Sequence, residues 1–179
     1  MAPIGLRLGS SGLGRIRVIV RAGELRPEGL PINLNLHIGP LGYEGGLEIG
    51  VAGATLKALV KPSRRGLACT GRLVATAFVP CSRCLEPFAY PVDRDFEISF
   101  LPAMAVEGPE NQDHQITLHD SSVSYLDERG SFDVTDVAAE QIYLALPMKP
   151  LCAPDCRGLC PVCGANLNSE RCGCCEAAG

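Results

Sequence analysis

Eight cysteines of this chain fall into pairs. Cys81 and Cys84 bracket two residues in "CSRC", and Cys160 and Cys163 do the same in "CPVC". Cys152 and Cys156 follow as Cys-x3-Cys, and Cys172 and Cys174 as Cys-x-Cys. Thiolates bind Zn²⁺ tetrahedrally, four to a closed structural site, and a Cys-x-x-Cys turn supplies two of the four. Eight thiols therefore predict two zinc ions. Gly164 after "CPVC" permits a backbone conformation that turns amides toward a sulfur, whereas "CSRC" is followed by Leu85 and lacks that help. The favoured pairing puts Cys81, Cys84, Cys152 and Cys156 in one site. Cys160, Cys163, Cys172 and Cys174 then form a second, closed over "GANLNSER". A rival pairing joins Cys81 and Cys84 to Cys160 and Cys163. All-cysteine ligation also suits an iron–sulfur centre. A thioredoxin-like redox pair belongs in a strand-to-helix turn of a βαβ unit, and neither pair stands in one. Cys69 reads as a small buried hydrophobe and Cys175 as spare.

Other chemistry is thinly represented. His37, His114 and His119 are far apart and have no nucleophile motif beside them. "GSSGLG" lacks the Lys-Ser/Thr of a phosphate-binding loop. Asp93 and Asp95 alternate along a strand and are expected to face solvent. The expectation is a protein that is not an enzyme and has no small-molecule substrate. Lys57, Lys61, Arg64, Arg65 and Arg72 surround a hairpin turn and are the candidates for contact with a phosphate backbone. No aromatic side chain interleaves with these charges, so the sequence predicts no base stacking there.

The elements that must position these groups are mostly strands. "INLNLHI" alternates apolar and polar residues, and "LEIGVAGATLKALV", "LACTGRLVATAFV" and "FAYPVDRDFEISFL" read as long strands joined by turns at "KPSRRG" and "CSRCLEP". Gly50 and Gly53 suggest a bulge or a close backbone approach. Residues 102–122 read as an acidic loop, with short strands at "QITLHD" and "SVSYLD". A helix is predicted over about 135–146, capped by Thr135 or Asp136, with Val137, Ile142, Leu144 and Leu146 as its apolar surface. The predicted fold class is α+β, mainly antiparallel β, a meander forming a partly closed barrel or sandwich. It carries one C-terminal helix and a small Cys-rich zinc-binding tail. Residues 1–30 form an N-terminal segment without assignment, 31–151 the β-rich domain and 152–179 the tail.

The sequence has 46% hydrophobic residues, enough for a core, but 5% aromatics and no Trp, so aliphatic side chains must do most of the packing. No apolar run reaches membrane-spanning length, and the N-terminus is a poor secretory signal because Arg17 and Arg21 interrupt its apolar stretch. A cytoplasmic location without membrane contact is expected, which favours metal over disulfides for the thiols. The net charge of −4 is uneven: residues 1–72 carry ten Lys+Arg against four Asp+Glu, while 73–179 carry six against sixteen. A basic face suits phosphates, and an acidic segment suits some other partner.

"VPCSRCLEPFAYPVDRDFEISFLP", "VTDVAAEQIYLALPMKPLC" and "DCRGLCPVCGANLN", followed by "CGC", together resemble the YceD family. The resemblance runs from about Leu47 to Cys174. It implies a role in accumulation of large-subunit, 23S-type rRNA, with precursor rRNA or a ribosome-assembly protein as partner. A protein-interaction adaptor acting through a nuclease or a transcription component is the alternative. Shorter members keep the first Cys-x-x-Cys and a Cys/His pair after the helix, which favours Cys81, Cys84, Cys152 and Cys156 as one site.

Overall fold

The computed structural model describes residues 6–10, 16–42, 46–103 and 122–174. In chain order the strands are β1 (Leu6–Ser10), β2 (Ile16–Arg21), β3 (Leu30–Leu36), β4 (Leu41–Gly42), β5 (Glu48–Ser63), β6 (Gly66–Pro80), β7 (Pro87–Leu101), β8 (Val123–Tyr125) and β9 (Ser131–Asp133). One helix follows, α1 (Val134–Ala145). The main sheet runs β3-β5-β6-β7-β8, with β4 added to β5. A second, three-stranded sheet runs β1-β2-β9. The main sheet begins at β3 and ends at β8, so the described strands do not close a barrel. Its pairings are antiparallel except for β8, which lies parallel to β7.

Period-two alternation builds this sheet. Along β6, Leu67, Cys69, Leu73, Ala75, Ala77 and Val79 are buried, while Thr70, Arg72, Val74 and Phe78 are exposed. Val92, Phe96, Ile98 and Phe100 do the same for β7, and Leu56 and Val60 for β5. The expected bulge is present. The β5–β6 register shifts between Ala52 and Thr55, and Gly53 takes φ +62°, where a side chain would be strained. The shift keeps Ala54 and Leu56 on the buried face after Ile49.

Val18 and Val20 of β2 bury into the same core as the main sheet and the helix. Residues left without assignment by sequence are thus placed by β9, through Ile19↔Asp133, Val20↔Phe132 and Arg21↔Ser131. Phe132 stacks on Phe100 with ring centroids 4.1 Å apart, which joins the small sheet to the large one.

Asp133 organises this junction. It is the N-cap of α1 and accepts from Thr135 N at 2.9 Å, so neither Thr135 nor Asp136 caps the helix as the sequence suggested. It also accepts from Val18 N at 3.2 Å and from Arg17 Nε at 2.7 Å. The helix buries Val134, Val137, Ala138, Gln141 and Ile142. Leu144, expected on the apolar surface, is instead 61% exposed, because it lies off the stripe traced by 134, 138 and 142. Arg94, pointing inward from β7, donates from Nη1 to Leu144 O at 3.0 Å and holds the helix end to the sheet. Most of the acidic stretch at 102–122, the "QITLHD" strand, His114, His119 and Cys175 lie outside the described residues. Among the described residues no helix is long and apolar enough to cross a membrane.

Replacing Asp133 by Ala removes a buried cap together with an inter-element hydrogen bond. A loss of about 2–3 kcal/mol is expected, read as a lower urea midpoint with an unchanged slope. Asp133→Asn, which retains an acceptor, is expected to lose less.

Candidate metal centres

The β6–β7 connection and the tail after α1 meet at one end of the main sheet. There the structure brings together the sulfurs of Cys81, Cys84, Cys152 and Cys156, all within 4.8 Å of one another. Cys160, Cys163, Cys172 and Cys174 make a second group under the same limit, so Cys160 and Cys163 close on the tail and not on Cys81 and Cys84. In the first group the Cys81–Cys156 and Cys84–Cys152 sulfurs are each 3.7 Å apart. Four thiolates at about 2.3 Å from a tetrahedral ion stand about 3.8 Å from each other. A disulfide would need a sulfur separation near 2.05 Å. A multi-iron cluster spreads its thiolates wider, because inorganic sulfides occupy its middle. Both groups therefore fit a single four-coordinate metal ion.

The two Cys-x-x-Cys turns are built alike. Leu85 N donates to Cys81 O at 2.9 Å and Cys81 N to Glu86 O at 3.0 Å. Gly164 N donates to Cys160 O at 2.9 Å and Cys160 N to Ala165 O at 2.8 Å. The residue after the second cysteine is left-handed in both, Gly164 at φ +74° and Leu85 at φ +62°. The first turn thus reaches the same geometry without the glycine, at the cost of backbone strain at Leu85.

Amides aimed at the sulfurs set the electrostatics. Burial pushes the Cys81 thiol up, but backbone N–H groups of Cys84, Cys152 and Arg83 outweigh it and bring the thiol down to about 6. Backbone amides of Cys163 and Val162 bring Cys160 down to about 6. The adjacent Cys156 thiol pushes Cys152 up to about 12. Each group thus holds one thiolate readily at neutral pH and resists further negative charge. A divalent cation supplies the missing countercharge and displaces the remaining protons. Acidification reprotonates the thiolates and works against the metal.

Two residues that sequence reading passed over tie the groups together. Arg83, inside "CSRC", donates from Nη1 to Cys156 O at 2.8 Å and accepts from Leu159 N at 3.2 Å. Asn168, inside the second loop, donates from Nδ2 to Cys156 Sγ at 3.3 Å and accepts on Oδ1 from Arg157 N at 2.7 Å. Neither belongs to a ligand pattern, so cysteine spacing carries no sign of them. Cys69 is buried under β6, and burial pushes its thiol up to about 12; it is remote from both groups in the strand register.

The five basic candidates are spread along the β5–β6 hairpin, from Lys57 and Arg72 at mid-strand to the turn at the end opposite the thiols. Arg64 and Arg65 form its turn, roughly 45 Å along β6 from Pro80 at about 3.3 Å per residue. Lys57 and Lys61 are exposed on β5. Arg72 sits opposite Lys57 in register, but Asp93 of β7 holds its guanidinium through two bonds of 2.6 Å. Its charge is locally matched, whereas among the described residues the other four are in no ion pair. Asp93 is correspondingly held below the usual carboxylate range by Arg72.

Leu85→Gly relieves the left-handed strain while losing a side chain that is mostly outside the core. A gain of up to about 1 kcal/mol is expected, read as a rise of a few degrees in the melting temperature. A lower melting temperature would show that Leu85 contributes more through contact than it loses through strain.

Residues 69–178 match the family model described as "Large ribosomal RNA subunit accumulation protein YceD". The chain is 32% identical over 111 residues to an uncharacterized protein of Mycobacterium bovis, and equally so to uncharacterized proteins of two Mycobacterium tuberculosis strains. These alignments cover 62% of this chain and 50% of each relative, so the chain spans about half the length of the curated relatives it matches. No solved structure matches it. The matched residues contain most of β6, all of β7 and α1, and both groups of thiols. With more than half of its length aligned to the family model, including the turns and the tail that assemble the two thiol groups, the chain belongs to the YceD family.

Proposed function

We propose that this chain is a cytoplasmic, non-enzymatic, zinc-stabilised factor that supports accumulation of large-subunit rRNA by contacting the precursor RNA. The family description points to the large ribosomal subunit. The observation that carries the RNA contact is the exposed basic run along β5 to the turn of the β5–β6 hairpin. Lys57, Lys61, Arg64 and Arg65 are exposed there, and among the described residues none of the four is in an ion pair. Exposed cations without an ion-pair partner among the described residues are available to a phosphate backbone.

Zinc is the metal favoured by an all-thiolate tetrahedral set. With four sulfurs in each group no position is left open for a substrate or water, so the metal's part is structural. It replaces the apolar core that so short a tail cannot form. Metal analysis of protein purified without chelator is expected to give two equivalents of zinc. Cys84→Ser is expected to remove one and to expose the tail to proteolysis. An unchanged zinc content in that variant would rule out the first group as a site, and iron with visible charge-transfer bands would rule out zinc.

A second reading, an adaptor between proteins, is favoured by the exposed Met148, at 99%, and Leu144 just after and within α1. The two readings part on one measurement. Reversing Lys61, Arg64 and Arg65 to Glu is expected to weaken binding to precursor rRNA and to reduce its salt slope by about three, while leaving the fold intact. Large-subunit rRNA is expected to fall in cells carrying the variant. Unchanged rRNA levels and unchanged binding would favour the adaptor.

A further inference from the structure

From the geometry of the main sheet we infer that its outward face takes single-stranded RNA, with Phe78 as a stacking platform for an unpaired base. The inference rests on the rRNA contact proposed above and adds a second element to it.

The chain has five phenylalanines. Phe96, Phe100 and Phe132 are buried, Phe88 is half-buried, and Phe78 alone is exposed, at 43%. Its position has an even number on β6, as have Arg72, Val74 and Thr76, and strand alternation puts all of them on the outward face. The hairpin that carries the basic turn at one end thus carries an aromatic ring near the other. The two are separated by roughly 40 Å of strand at about 3.3 Å per residue.

The residues around the ring are small. Gly50 of β5 stands opposite Phe78 on one side and Ala89 of β7 on the other. A Cβ at Gly50 would stand 3.6 Å from the Phe78 side chain, in ordinary contact with it, so the ring lies beside the Gly50 backbone. Ala52, Thr76 and Pro91 occupy the next register positions. Phe78 thus stands exposed among small neighbours on the outward face. Between ring and turn, Asn33 of β3 and Lys57 stand side by side on the outward face, offering an amide and a cation along the path, while the neighbouring Arg72 is held by Asp93. Ring, donors and unmatched cations in sequence along one face are the two components of single-strand recognition, a stacking surface and a charged track for the backbone. Duplex RNA keeps its bases stacked on each other and has none to give to Phe78.

The chain contains no tryptophan, so Phe78→Trp introduces a single indole at the platform. Titration with a short oligoadenylate is expected to quench its fluorescence saturably and in a salt-dependent manner, and a duplex of equal length is expected not to. In parallel, oligoadenylate affinity is compared for the unmodified chain and for Phe78→Tyr, Phe78→Leu and Phe78→Ala, with folding followed by circular dichroism. Tyr is expected to bind like the parent, while Leu and Ala are expected to bind roughly tenfold or more weakly. If Ala proves unfolded, the Tyr–Leu comparison decides, since Leu keeps the apolar bulk and lacks the π-face. A Leu variant that binds as tightly as the parent overturns the platform, as does equal quenching by duplex. If that happens while reversal of Lys61, Arg64 and Arg65 still weakens binding, the platform falls and the rRNA contact stands. If the parent binds neither oligoadenylate nor precursor rRNA, both fall.

Discussion

Everything at the tail end of this molecule depends on four sulfurs from two distant segments meeting at one point. Cys81 and Cys84 arrive on the turn between two long strands, and Cys152 and Cys156 arrive after the helix. The tail beyond them is mostly exposed, with Leu159 only partly covered. Hydrophobic burial alone cannot hold so short a segment in one conformation. Coordination can, because it exchanges many weak contacts for a few strong, directional ones. The price is charge: four thiolates around a divalent ion leave a net negative centre. The N–H groups of Arg83 and Asn168, at 3.5 and 3.3 Å from Cys81 and Cys156 sulfurs, are placed to share it.

The second group is linked to the first through more than the chain. Asn168 reaches from the loop of one group to a ligand of the other. Leu167 N donates to Gly158 O at 2.9 Å, and Leu159 N reaches back to Arg83 O. Order in the outer loop therefore supports the geometry of the inner site. The tail is better regarded as two coupled knuckles than as one essential and one accessory.

At the other end of the same hairpin, the opposite physics holds. Among the described residues no thiol group lies there and the exposed turn's cations are in no ion pair, whereas the middle of the outward face is a band of ion pairs centred on Arg72, Asp93 and Asp95. One rigid β6 strand connects the two ends. The thiol end holds the tail, the basic turn is exposed, and Phe78 lies between the thiols and the ion-pair band.

Local pattern determined much of this protein. Alternation marked the long strands, Gly53 marked the bulge, and cysteine spacing marked both knuckles, because each is written within a few neighbouring residues. The parity of β6 even carried Phe78 to the same face as Arg72. The tertiary structure decided what depends on residues far apart in the chain. Val18 and Val20 entered the core only because β2 found β9, more than a hundred residues away. Asp133 displaced Thr135 and Asp136 as the cap because the same carboxylate is also bonded by β2. The thiols sorted into their two groups because the chain after α1 returns to the β6–β7 turn, where Pro150 O accepts from Ser82 N at 2.8 Å. Spacing specifies which ligands a single turn can offer; only the folded chain decides which turns meet, since that is set by packing between segments and not by the sequence of either one.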